Sequence, residues 1–166
     1  MFREMRRKRQ ALPQEGMDAV LQKGTSGVLA VSGDHGYPYA VPLSYVYAGD
    51  RIYFHCAKQG HKLDAIARQD KVSFCVIDQD RVVPEAYTSY FRSVIAFGRA
   101  RILEEEGEVR RAIELLAERY FPEDEAGRLQ EIERSLPRLC MVELAIEHLS
   151  GKQARELVAP QQKPGI

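Results

Sequence analysis

The segment Lys58-Gln59-Gly60-His61-Lys62 brings together three things that an anion needs. Gly60 lets the backbone come close to a ligand, and the amides that follow it open a helix and attract negative charge. His61 and Lys62 then add side-chain donors, Lys62 as a fixed positive charge. That is the composition of a phosphate site, although the same residues also suit a solvated turn with ordinary surface lysines. Just upstream, His55-Cys56 together with His61 offers a second chemistry, ligation of zinc or another transition metal. In a strand His55 and Cys56 point to opposite faces, so they do not readily share one ion. His55 is read either as a core-side histidine or as a polar group lining a ligand cavity.

Two further stretches carry polar groups beside apolar ones. In Tyr37-Pro-Tyr-Ala-Val-Pro-Leu-Ser-Tyr45 the prolines lack an N–H, which keeps a strand free on one side. Its backbone can then hydrogen-bond a planar heterocycle, with the Ser44 hydroxyl available for phosphate; an edge strand covered by the protein itself fits equally. Tyr90-Phe-Arg-Ser-Val94 sets Arg92 and Ser93 among apolar neighbours, and Arg92 taken alone reads as a surface or interface charge. There is no GxSxG, no GxGxxG and no P-loop.

The elements that must position these groups follow from periodicity and turn residues. Residues 13–23 predict a short helix with Met17, Val20 and Leu21 on one face, ended by Gly24. Residues 27–32, 37–47 and 51–56 read as three strands of a meander, joined at Gly33-Asp-His-Gly36 and Gly49-Asp50. Residues 61–68 form a helix with Leu63, Ile66 and Ala67 inward, followed by a strand over 71–77. The polar stretch 78–89, with Pro84, is expected as a loop. Residues 90–103 make a long strand with a bend or bulge at Gly98. Apolar residues at 109, 112, 113, 116 and 117 mark a helix over 105–120; a second helix over 123–135 has a thinner apolar face. A last strand spans 139–149. Six strands with late helices suggest an antiparallel barrel, since closure buries strand edges.

Composition bounds the rest. The 166 residues fit a single domain, here placed at residues 1–158 with a flexible tail at 159–166, and 45% hydrophobic content supports a packed core. Lysine plus arginine equals aspartate plus glutamate at 24 each, which lowers the rank of nucleic-acid binding. The basic opening (Arg3, Arg6, Arg7, Lys8, Arg9) lacks the apolar run of a signal peptide, and no stretch is long enough to span a bilayer, so the expectation is a cytoplasmic protein. Cys56, Cys75 and Cys140 are widely spaced among β-branched and aromatic residues and read as small buried hydrophobes.

Taken in order, these motifs have a family likeness. Tyr37 to Tyr47, Ile52-Tyr-Phe-His-Cys-Ala57, Gly60-His-Lys62, Ser93-Val94 and Gly98, with the opening Phe2-Arg-Glu-Met-Arg-Arg7, Gln10 and Leu12, resemble the nitroimidazole-resistance branch of the pyridoxamine 5'-phosphate oxidase-like proteins. The resemblance runs from about residue 2 to 155. It implies a mainly β fold, an antiparallel, Greek-key-like FMN-binding split β-barrel with peripheral helices, forming a homodimer with FMN at the subunit interface. It assigns Val41, Pro42, Leu43, Ser44 and Tyr45 to the flavin ring, and His55 and Ala57 to the isoalloxazine or ribityl chain. His61 and Lys62 would hold the phosphate. Ser93 and Val94 would come from the partner chain or the groove floor, and Lys152 would be a late basic residue reaching the cofactor. The implied activity is that of a flavin-dependent oxidoreductase of small molecules, with nitro-aromatic compounds such as nitroimidazoles reduced beside a hydrogen-bonding or proton-donating His55. Two alternatives stand beside it, a flavin-storage module without turnover and a split barrel holding haem or a deazaflavin. The partners expected are a second copy, a small-molecule substrate and an electron donor that docks transiently, with no nucleic acid and no membrane.

Overall fold

Alternating burial writes most of the strands. In β1 (Ser26–Ser32) Gly27, Leu29 and Val31 turn inward, and in β4 (Arg51–Ala57) Ile52, Phe54 and Cys56 do so while Arg51, His55 and Ala57 face out. β2 (Pro38–Ser44), β3 (Val46–Ala48), β5 (Lys71–Val83), β6 (Thr88–Ile102) and β7 (Leu139–Gln153) complete a sheet of seven antiparallel strands. Among the described residues four α-helices accompany them: α1 (Gln14–Lys23), α2 (His61–Arg68), α3 (Glu106–Tyr120) and α4 (Glu125–Ser135). This computed structural model describes residues 1–158, and the tail expected at 159–166 lies outside the described residues.

The strand order is β2-β1-β5-β6-β7-β4-β3. Its two outermost strands, β2 and β3, are separated in sequence by Tyr45 alone. One residue therefore carries the chain from one edge of the sheet to the other, which requires the sheet to roll until its edges meet. Tyr45 is fully buried at this junction, and its hydroxyl donates to the Leu21 carbonyl at 2.7 Å. The stretch 37–47, expected as one strand, is thus two. The edge position anticipated from Pro38 and Pro42 is observed, since β2 pairs only with β1.

Two other expectations change. Residues 78–89 are not a loop: β5 continues to Val83 and β6 starts at Thr88, with a single turn at Pro84–Ala86. Ladder pairs from Gln79–Arg92 to Val83–Thr88 satisfy the backbone of this arm, which has little core to impose alternation, so its sequence reads as polar. In α2 the buried residues are Leu63, Ala65 and Ile66, while Ala67 is exposed. The irregularity foreseen at Gly98 is present but lies on the facing strand: Phe97 pairs with His148 and Gly98 with Ile146, so the extra, unpaired residue is Glu147 of β7.

The apolar side chains divide into two clusters. Leu29, Phe54, Phe74, Val94 and Leu144 fill the barrel interior. A second cluster, with Val46, Met141, Ile113, Leu116 and Ile132, glues α3 and α4 to the outside of β3, β4 and β7. The stripe at Ala112, Ile113 and Leu116 anticipated for α3 is buried there.

Candidate functional site

Because β4 alternates, His55 and Ala57 project from the barrel on the face that α3 and α4 partly cover. Two cavities lie along this face. One, of about 370 Å³, is lined by His55, Cys56, Ala57, Lys62, Arg138 and neighbours. Its lining contains two cationic side chains and no carboxylate. The other, of about 500 Å³, runs beneath α3 and α4 and is largely apolar, with Ile113, Leu116, Tyr120, Phe121 and Ile132 in its wall and Ser44 at its rim. His55, Ser135 and Leu139 belong to both, so the two form one groove with a basic end and an apolar trough.

The basic end is built where β4 hands over to α2. Gly60 caps that helix at φ 140°, a backbone region open to glycine and strained for other residues. Its carbonyl accepts from Leu63 and Asp64, leaving the amides of His61 and Lys62 without intrahelical partners. Lys62 is half-buried in the groove. Arg138 reaches it from the turn after α4, where its guanidinium makes one long contact, 3.5 Å to the Arg134 carbonyl.

His61 turns away from Lys62. Its ring stacks on Tyr39 at 4.2 Å between centroids, and Nε2 stands 3.5 Å from Asp34 Oδ2, an ion-pair distance without hydrogen-bond alignment. Nε2 is consequently a buried polar atom with no hydrogen-bond partner. Arg68 shares Asp34 at 2.7 Å and, with its guanidinium, holds that carboxyl below the usual carboxylate range.

Cys56 lies opposite Cys140 across β4 and β7, the two Sγ atoms 3.8 Å apart. Burial, reinforced by the neighbouring thiol, pushes the Cys56 thiol above its ordinary value; burial does the same at Cys75. These are packed, protonated thiols.

Of the residues singled out in the sequence, Ser44, His55, Ala57 and Lys62 come together on the groove. Val41 and Leu43 pack against the barrel core, Tyr45 is buried at the edge-to-edge junction, and Pro42 is exposed. Ser93, Val94 and Lys152 sit elsewhere on the barrel: Val94 is fully buried, and Ser93 pairs in register with Lys152. Lys152 Nζ lies 5.3 Å from the centre of the Phe91 ring. Sequence reasoning missed Arg138, Tyr120 and Ser135. Only the basic residue of Leu136-Pro-Arg138 ahead of the last strand offered a signal, and nothing local linked it to Lys62, 76 positions earlier.

Tyr120 shows how the helices are fixed over the groove. Its hydroxyl accepts from the Tyr45 amide at 3.1 Å and donates to the Thr25 carbonyl, tying the end of α3 to the strand junction.

A rolled antiparallel sheet with its edges joined at one residue defines the class: a split β-barrel, here with a basic-to-apolar groove on its outer face. The sequence profile described as pyridoxamine 5'-phosphate oxidase matches residues 13–153, and the chain belongs to that family. No curated protein matches it. Among solved structures it is similar to a conserved hypothetical protein from Mycobacterium tuberculosis (20% identity, covering 98% of each chain, TM-score 0.80). It is also similar to a proposed 5-nitroimidazole antibiotic resistance protein from Bacteroides thetaiotaomicron (16% identity, 86% of each chain, TM-score 0.73). A third is an FAD and haem binding protein from Mycobacterium smegmatis (22% identity, 89% of this chain and 74% of that one, TM-score 0.72). At these identities the likeness is one of fold.

Proposed function

We infer that the protein is a cytoplasmic FMN-binding oxidoreductase of small molecules, with nitro-aromatic compounds such as nitroimidazoles as its substrate class. The observation that carries this reading is the continuous groove, cationic and free of carboxylates at Lys62 and Arg138, apolar beneath α3 and α4, with His55 where the two halves join. A flavin mononucleotide has the matching polarity, a dianionic phosphate at one end and a planar, mostly apolar ring at the other. Lys62, Arg138 and the free amides of the α2 N-terminus suit the phosphate, and the Gly60 conformation keeps the backbone close to it. When bound, the flavin supplies hydride or single-electron chemistry. The chain's own contribution is to exclude water beneath α3 and α4 and to present the His55 imidazole, a hydrogen-bonding group, to whatever lies in the trough.

The same reading makes the protein a homodimer. Ser93 and Lys152 line neither half of the groove, so their resemblance-based role toward a flavin calls for a second copy. The β5–β6 arm leaves Ile77, Val82 and Tyr87 exposed at 64%, 68% and 98%, which suits a surface covered by another chain. Three free thiols suit a reducing compartment.

The test is spectroscopic. The purified protein is expected to be yellow with the absorbance of oxidised flavin. Under anaerobic conditions the colour should bleach with NADH or NADPH and return on addition of a nitroimidazole. His55→Ala should keep the colour and slow the return. A Soret band instead of a flavin spectrum would overturn the cofactor assignment; flavin that bleaches but never returns with nitro compounds would overturn the substrate class.

A further inference from the structure

A second concave site lies where the N-terminal segment meets β6 and the end of β7. The N-terminal segment is pinned along β7, where Leu12 N donates to the Gly151 carbonyl at 3.0 Å and Ala11 bridges to Lys152. Between this segment, the start of β6 and the residues after β7 is a groove of about 780 Å³, the volume of a ligand-sized pocket. Arg6, Arg7, Lys8, Arg9 and Arg155 line it, against the single carboxylate of Glu156. In a chain whose formal net charge is zero, this is a strong local concentration of positive charge. Lys8 is engaged by Glu4 at 2.6 Å and Arg155 stands 3.8 Å from Glu156. Among the described residues Arg6, Arg7 and Arg9 take part in no ion pair.

Gln10 gives the groove a second feature. It is only 8% exposed, it lines the cavity, and its Oε1 is buried without a hydrogen-bond partner among the described residues. Buried polar atoms are almost always satisfied, so an orphaned acceptor in the wall of a cavity marks a place where a donor belongs. On the opposite wall Thr88 and Ser89 offer hydroxyls and Phe91 a half-buried ring.

The geometry points to a binding site for a nucleoside diphosphate moiety, free or as half of a dinucleotide. Guanidinium forks take phosphate oxygens two at a time, which a pyrophosphate satisfies better than a lone carboxylate. The Gln10 carbonyl accepts from an amino group of a base or a ribose hydroxyl, and the Phe91 ring offers the base an apolar face. An inorganic polyanion has no donor for Gln10 and no use for Phe91. The site shares no lining residue with the Lys62–Arg138 groove.

The experiment titrates ADP, NADPH and inorganic pyrophosphate calorimetrically into the FMN-saturated protein. ADP and NADPH are expected to bind saturably and at least tenfold more tightly than pyrophosphate. Tighter binding of NADPH than of ADP assigns the site to a dinucleotide, and equal binding to the free nucleotide. Arg9→Ala, an exposed position that should leave the fold intact, is expected to weaken binding about tenfold. Gln10→Leu should weaken the two nucleotides and leave pyrophosphate unchanged. Absence of saturable nucleotide binding overturns the proposal. So does pyrophosphate binding as tightly as ADP, indifference to Arg9→Ala, or tighter binding of single-stranded RNA or of anionic lipid vesicles than of either nucleotide.

Discussion

At the scale of single residues, the groove depends on two cations brought from distant parts of the chain. Lys62 follows the glycine cap of α2, and Arg138 follows α4; neither faces a carboxylate in the cavity they share. Removing either should cost a charge-assisted bond to phosphate, about 1.5–3 kcal/mol, or roughly ten- to a hundredfold in FMN affinity. Lys62→Ala and Arg138→Ala are each expected to lose flavin on gel filtration and to rebind it with a raised Kd by fluorescence quenching. Retention like the wild type in both variants would remove the phosphate from this end of the groove. Cys56 is a different case. It lines the cavity, but burial keeps its thiol protonated, so it contributes packing and no nucleophile.

At the scale of elements, the bulge in β7 opposite Gly98 shapes the barrel. A Cβ added at Gly98 would collide with the Ala145 carbonyl across the β6–β7 ladder. Backbone cannot yield as a flexible side chain can, so Gly98→Ala should destabilise the fold by about 1–3 kcal/mol. Urea unfolding would report this as a lower midpoint at unchanged slope. Gly107, an exposed helical glycine with open space around its Cβ position, is the control and should show no loss on replacement by alanine. The bulge was legible because a glycine interrupts an otherwise regular alternation. The β5–β6 arm was not, because residues outside a core carry no pattern of burial. The division at Tyr45 was hidden for the opposite reason: a buried aromatic between two apolar runs reads as more of the same strand.

At the scale of the whole molecule, buried phenols and thiols make stability depend on pH on the alkaline side. Burial raises Tyr45, Tyr47 and Tyr53 above the ordinary 10.0, with the Asp18 hydrogen bond adding to Tyr47 and Glu143 adding to Tyr53. Burial likewise raises Cys56 and Cys75 above 9.0. Above these ordinary values the unfolded chain releases protons that the folded chain retains. The unfolded state then binds fewer protons, and unfolding becomes easier as pH rises. Below about pH 9 this contribution is complete and constant. Urea midpoints followed by circular dichroism should therefore be level up to that point and fall beyond it. Tyr45→Phe should fall less steeply, while starting lower for loss of the bond to Leu21; a level profile through the tyrosine range would contradict the burial of these groups.

The sequence alone determined what is local. Alternation set His55 and Cys56 on opposite faces of β4; prolines placed β2 at an edge; Gly60-His61-Lys62 announced a helix start with a spare positive charge. These features depend on neighbours within a few positions, where backbone sterics and side-chain period dominate. Tertiary structure decided which of these groups meet. It set His61 against Tyr39 and Asp34 instead of beside Lys62, and it brought Arg138 to Lys62 and Tyr120 to the Tyr45 junction. It also left Gln10 buried among arginines that the sequence presented only as a basic opening. Rolling a sheet until its edges join is a long-range event, and long-range contacts leave no spacing in the chain by which to read them.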